Sequence, residues 1–211
     1  MAMLLLALLG VMDTIDLPQP AAAITVDMAG HLAFITRTGD ELLIQENGEG
    51  WRKYPLPDRF GIVDRLLVSG DLCYVLSERN LTLCDLRASR KAIIAEDVDD
   101  ACINQYGEIW ALSEFELRRL SPLGRELESK TLARIPSSIW MSGADLIILQ
   151  ADETLPLPGW LEELMSLDVY LPHLDSLIMM LNKPSPNGTA LSDEAYYLLI
   201  DNKHVLRMSL D

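Results

Sequence analysis

The sequence predicts an all-β fold made of one four-stranded unit repeated along the chain, and three observations carry that prediction. Closely similar apolar runs follow four glycines: "GHLAFIT" at Gly30, "GDLCYVLS" at Gly70, "GEIWALS" at Gly107 and "GADLIILQ" at Gly143, at intervals of 40, 37 and 36 residues. Each run leads through a polar turn into a second run ("DELLIQE", "NLTLCDL", "FELRRLS") and then a third ("WRKYPLP", "KAIIAED", "SKTLARIP"). A further apolar stretch precedes each next glycine, so every unit holds four short strands. That period is the signature of a β-propeller. A single four-stranded sheet has two apolar faces and cannot cover both; sheets packed radially cover each other's. Gly and turn residues interrupt the chain too often for helices of ordinary length. A β-sandwich also has short, regularly spaced strands, but the fixed repeat favours the propeller.

The expected architecture is a single domain, 1–211, a propeller of about five four-stranded blades near 21–57, 58–97, 98–136, 137–171 and 172–211, the last completed by 10–18. In each unit the glycine supplies the turn between the first and second strands, where a left-handed backbone is needed. The runs are nearly continuously apolar, as suits strands buried on both faces. In the fifth unit "DSLIMML" (175–181) reads as the first strand, with "EAYYLLID" and "HVLRMSL" as the second and third. The chain ends one strand short there, while "GVMDTIDLP" near the N-terminus is one strand too many. Pairing these two termini closes the ring and removes a sheet edge. One stretch departs from the pattern: "DETLPLPGWLEELMSLD" (152–168) places Trp160, Leu161, Leu164 and Met165 at helical spacing after Pro158, and predicts a short helical insert near 158–167.

The chain of 211 residues is 49% apolar, with a formal net charge of −15. That charge repels phosphate backbones, and no basic stripe offsets it, so nucleic acid is not expected as a partner. Cys73, Cys84 and Cys102 are an odd number with no metal-binding spacing, which points to free thiols in a reducing compartment. If one hairpin turns at Glu78 and Arg79, Cys73 and Cys84 face each other across it as buried thiols. The apolar run 3–12 is too short to span a membrane. It could serve as the core of a signal peptide, with the alanines at 21–23 as its cleavage site, but no Lys or Arg precedes it and 12–23 is long and acidic. The expectation is a cytoplasmic protein without membrane insertion, secreted in the alternative that residues 1–23 act as a signal.

"LTLCDLRASRKAI" (81–93) resembles the end of a WD40 blade, where a Trp-Asp pair precedes a turn. Cys84 stands in the Trp position and Asp85 alone matches; the Gly-His pair of that family is missing. "GEIWALSEFELRRLSPLGREL" resembles quinoprotein-like and NHL-like blades more closely. The resemblance covers nearly the whole chain with generic motifs. It implies a propeller and the binding habit of that fold, and no cofactor, since no residue matches a quinone site.

No catalytic, cofactor-binding or metal residues are assigned. The acidic run "EDVDD" (96–100) lacks the spacing and glycine of a calcium loop and reads as a solvated turn. No serine-hydrolase elbow, zinc-protease helix or phosphate loop is present. The loops are short, which leaves little to build a pocket. The expected function is therefore a non-catalytic scaffold, a subunit of a larger protein assembly. It would bind through loops between second and third strands and between blades, all on one end of the ring. The partner-binding candidates there are Arg37, Arg59, Glu78, Arg79, Glu114, Asp152, Glu153, Trp160, His173, Asp201 and His204. Trp51, Tyr54 and Trp160 are candidate aromatic anchors, whereas Trp110 and Trp140 are assigned to the core. A lectin-like or small-ligand-binding propeller is the alternative, and a small hydrolase a more distant one.

Overall fold

The structure is a computed structural model that describes residues 12–46, 50–142, 145–150, 153, 185, 187–192 and 194–209. The described chain is all β, and its antiparallel sheets are arranged as a propeller. Strand β1 (Met12–Asp16) pairs with the far end of the chain rather than with its neighbour in sequence. The first complete sheet is β2 (Ala21–Val26), β3 (Leu32–Thr36), β4 (Glu41–Gln45) and β5 (Trp51–Pro55). The second is β6 (Arg65–Ser69), β7 (Leu72–Ser77), β8 (Asn80–Asp85) and β9 (Arg90–Ala95). The third is β10 (Asp100–Ile103), β11 (Ile109–Ser113), β12 (Glu116–Leu120) and β13 (Glu126–Thr131). A two-stranded sheet, β14 (Ser138–Ser142) and β15 (Asp145–Leu149), comes next. The last sheet is β16 (Thr189–Leu191), β17 (Ala195–Leu199) and β18 (His204–Ser209), and β1 is its outer strand. Met12 lies opposite Met208 and Asp16 opposite His204, so the N-terminal strand closes the last sheet as the strand count requires.

The described residues thus hold four four-stranded sheets and one of two strands, against the expected five equal blades. The predicted helical insert near 158–167 lies outside the described residues. In the last sheet β17 pairs on its inner side with β16: Ala190 lies opposite Tyr197 and Leu191 opposite Tyr196. The expected first strand at 175–181 lies outside the described residues. Ser192 closes the turn between β16 and β17, its hydroxyl oxygen accepting the Ala195 N–H at 3.0 Å.

The inner strands touch in the order β2, β6, β10, β14 and β16, and β16 touches β2 again. Between successive sheets sit separate apolar clusters. Ala33, Ile35 and Leu42 meet Leu66, Val68 and Val75 between the first and second sheets. Tyr74, Leu76 and Leu81 meet Ala101, Ile109 and Leu120 between the second and third. Cys102, Leu112 and Leu117 meet Ile139, and Ala195, Tyr197 and Val205 meet Ile24, Phe34 and Leu43. Middle strands such as β3 are buried at every position, whereas the outer β13 is exposed at every position. Continuous apolar runs therefore mark the strands sandwiched between sheets.

Gly30, Gly70 and Gly107 hold φ of 82°, 59° and 76° in the turns between first and second strands, as the repeat predicts. Glu78 and Arg79 take φ of 51° and 63°, the two left-handed residues of a tight hairpin turn. With that turn fixed, Cys73 lies opposite Cys84, and both are free, buried thiols. Asp85 caps the next turn, its Oδ1 accepting the N–H of Arg87 at 3.0 Å and of Ala88 at 2.8 Å. That local role is what its match to the WD40 pattern amounts to.

Candidate interaction face and axial channel

Among the described residues, the second-to-third-strand turns and the sheet-to-sheet connections alternate at one end of the antiparallel meander. They are sewn together by backbone bonds. Phe60 N–H donates to Gly39 O at 3.0 Å, Val98 N–H to Arg79 O at 2.9 Å, and Leu17 N–H to Lys203 O at 2.9 Å. Each donor residue is a buried apolar plug beneath its neighbouring hairpin. Gly39 (φ 74°) is held so close to the connection that a Cβ would lie 1.9 Å from Phe60 O.

Side-chain pairs reinforce this stitching and absorb several of the predicted partner-binding residues. Arg59 Nε donates to Thr38 O at 2.9 Å. Arg79 pairs with Asp99, whose other oxygen accepts the Glu114 N–H at 2.5 Å, tying two hairpin tips to one connection. His204 Nδ1 lies 2.8 Å from Asp201 and its Nε2 3.5 Å from Asp16. The bond from His204 holds the Asp201 carboxyl below the usual range, and the bond from Lys91 does the same for Asp58. Glu153 accepts the Gln150 N–H at 2.9 Å. Arg37, Glu78 and Glu114 are exposed, and none of their side chains has a partner among the described residues. Asp152, Trp160 and His173 lie outside the described residues.

Four exposed apolar residues share this end: Ile62, Phe115, Ile135 and Ile200. Leu132 N–H donates to Phe115 O at 2.6 Å, which holds the connection bearing Ile135 against the hairpin tip of Phe115. Sequence reasoning passed over these four, since a single apolar residue in a turn resembles strand-end noise. Two predicted anchors are placed elsewhere. Trp51 packs edge-on to Phe34, with ring centroids 5.1 Å apart, and Tyr54 is half-buried against the cluster between the first two sheets. Both belong to the outer strand β5, where Trp51 turns toward the cluster shared with the last sheet and Tyr54, three residues on, toward the cluster shared with the second sheet. Trp140 is in the core as expected, while Trp110 is only half-buried, with Arg119 5.8 Å from its ring centroid.

The acidic run 96–100 is not wholly a solvated turn. Asp97 and Asp99 face solvent, but Asp100 opens β10 and is 2% exposed. Arg65, at the start of β6 and 4% exposed, pairs with it at 3.0 Å near the ring axis. Asp100 also accepts the N–H of Ala101 and of Ile139, each at 2.8 Å. Burial raises its carboxyl above the usual range, against the opposing pull of Arg65 and these two N–H groups. The start of an inner strand faces the axis, so side chains there are withdrawn from water however acidic their neighbours are.

The short loops nevertheless build a recess, at the opposite end. The turns after β2, β10 and β16 surround an opening of about 370 Å³. Asp27 and Asn104 each brace their turn, their Oδ1 atoms accepting two backbone N–H groups at 2.8 to 2.9 Å. Below it, between the inner strands, lies a cavity of about 70 Å³. Among the described residues no group of three or more His, Cys, Asp or Glu is placed to hold a metal ion, and no helix is long and apolar enough to cross a membrane.

No protein-family model and no curated protein matches the chain. Among solved structures, it is similar to PorZ, a surface component of the type-IX secretion system of Porphyromonas gingivalis. The identity is 19% and the TM-score 0.46, over 64% of this chain and 20% of that one. It is similar also to virginiamycin B lyase from Staphylococcus aureus (13% identity, TM-score 0.46, 90% of this chain and 66% of that one). A streptogramin B lyase structure gives 11% identity and a TM-score of 0.47, over 92% of this chain and 67% of that one. The chain thus spans from about a fifth to about two thirds of the length of these neighbours.

Proposed function

We propose that the chain is a non-catalytic interaction scaffold, a subunit of a larger protein assembly, and that it binds through the loop end bearing Arg37, Glu78 and Glu114. The observation that supports this reading is the set Ile62, Phe115, Ile135 and Ile200, exposed on loops already ordered by their own bonds. Apolar side chains on a rigid support lose little entropy on association, and charges without internal partners set orientation and specificity. Arg59, Arg79, Asp201 and His204 then act chiefly by holding that support in shape. We read the ring as five-bladed, with β14 and β15 as the inner half of the fourth blade, because β14 touches both β10 and β16.

The test is purification from the native source of the wild-type chain and of a Phe115→Asp/Ile135→Asp variant. The wild type is expected to co-purify in stoichiometric amount with another subunit, and the variant to elute alone with an unchanged unfolding midpoint. A monomeric wild type, or a folded variant that keeps its partner, would overturn the reading.

A further inference from the structure

We infer that the mouth of the axial channel, at the end opposite the proposed interaction face, binds one small amphipathic molecule that is neutral or positively charged. Val26, Ile103 and Leu191 end their inner strands and Met141 is the last residue but one of β14, and these four residues line both the outer recess of about 370 Å³ and the inner cavity of about 70 Å³. The two spaces share one apolar collar. The outer recess alone lies within the range of sites for small organic ligands, roughly 300–1,000 Å³.

The polar groups lie on either side of that collar. On the inner side, Thr25 and Thr189 line the inner cavity, and their hydroxyls make no side-chain hydrogen bond among the described residues. Neither hydroxyl is sealed off from the cavity, so each can bond water there or a polar group of the bound molecule. On the outer side, Asp27, Asn104 and Ser192 are committed to capping their own turns. They make the rim rigid rather than sticky. Gln105 and Glu194 are exposed on the same rim and make no side-chain hydrogen bond among the described residues, so their amide and carboxylate are available to a ligand.

Charge then selects among ligands. Among the described residues, Asp27 and Glu194 are the charged residues of the rim, and no Lys or Arg lines it. Arg65, the cation of the inner cavity, is neutralised by Asp100. Phosphorylated and carboxylated molecules are repelled. An uncharged or cationic body with an apolar middle and a hydroxyl-bonding tip matches rim, collar and inner end in turn.

The test uses the full chain with ¹³C-methyl-labelled methionine and three probes that share a phenyl ring and differ in charge: benzyltrimethylammonium, benzyl alcohol and benzoate. Met28 and Met141 line the recess and report on it. Their methyl signals are expected to shift saturably with the ammonium and the alcohol, and the ammonium to bind about fivefold or more tightly than benzoate. Glu194→Gln is expected to remove most of that preference, and Gln105→Trp, on the exposed rim, to weaken both ligands. Absence of a saturable shift with every probe would mean a channel that holds water only and would overturn the proposal. So would equal binding of benzoate and the ammonium, or unchanged binding in Gln105→Trp. None of these outcomes bears on the opposite face, so the site and the scaffold reading fail separately.

Discussion

Arg65 and Asp100 form a buried ion pair across two sheets, Nε to Oδ1 at 3.0 Å, and the same guanidinium reaches a third sheet. Its Nη2 donates to Ile139 O at 2.6 Å and its centre lies 4.0 Å from the Trp140 ring centroid. Its Nε also donates to Ala101 O at 2.8 Å. One side chain therefore joins the second sheet, the third sheet and β14 at the axis. Removing either partner leaves a nearly fully buried charge without its counter-ion. Arg65→Ala and Asp100→Ala are each expected to cost about 3–5 kcal/mol. The double variant should cost less than the sum, with a coupling of up to about 3 kcal/mol. Urea unfolding of the four proteins of the cycle measures this; additive losses would show the pair to be uncoupled.

Gly39 and Gly30 both have left-handed φ, at 74° and 82°, but only Gly39 also meets a neighbour. A methyl group on Gly39 would collide with Phe60 O, whereas one on Gly30 would find open space. Gly30→Ala is expected to cost about 1–2 kcal/mol, the conformational penalty alone. Gly39→Ala should cost clearly more, since the turn and the connection bearing Phe60 must part. Thermal unfolding of the two variants side by side checks the order, and equal losses would refute the close approach.

Much of the architecture was legible because it repeats. Gly30, Gly70 and Gly107 mark equivalent turns, and the tight turn at Glu78 and Arg79 could be placed by symmetry alone, which put Cys73 opposite Cys84. What escaped reading depends on contacts between units. The partner of Asp100 lies 35 residues back on another sheet, and the surrounding acids make the position look solvated. Trp51 and Tyr54 flank the exposed Arg52 and Lys53 and lie on opposite faces, and nothing local shows that both faces of this outer strand meet a neighbouring sheet. The channel mouth is a product of ring closure: Val26, Ile103, Met141 and Leu191 become one collar only when four strands meet at the axis.

The Asp201–His204 pair predicts a small acid-sensitive contribution to stability. The bond from His204 lowers the folded-state pKa of Asp201 below its unfolded value near 3.8. A depressed carboxyl contributes its full stabilisation above the unfolded value and loses it as pH falls through the folded one. The stability difference between wild type and Asp201→Asn is therefore expected to shrink as pH falls below about 4. Both residues are exposed, so added salt should reduce the difference as well. Urea titrations across the acid range test this, and a difference that grows below pH 4 would contradict it.

The three thiols should be silent in the native state. Burial pushes Cys84 up to about 11 and lifts Cys73 and Cys102 well above the ordinary thiol range. The thiolate is the reactive form, so neither charge nor access favours alkylation at pH 8. Iodoacetamide should leave the folded chain unmodified on the timescale in which it labels all three cysteines in urea. In the native state, labelling must then wait for opening of the sheets. Cys73 and Cys84 sit between the first two sheets and Cys102 between the third sheet and β14. A variant that loosens the axis at Arg65 should speed labelling of Cys102 first, read by mass spectrometry of the separated peptides. Prompt native labelling of Cys73 and Cys84 would show that the first two sheets are not packed as described.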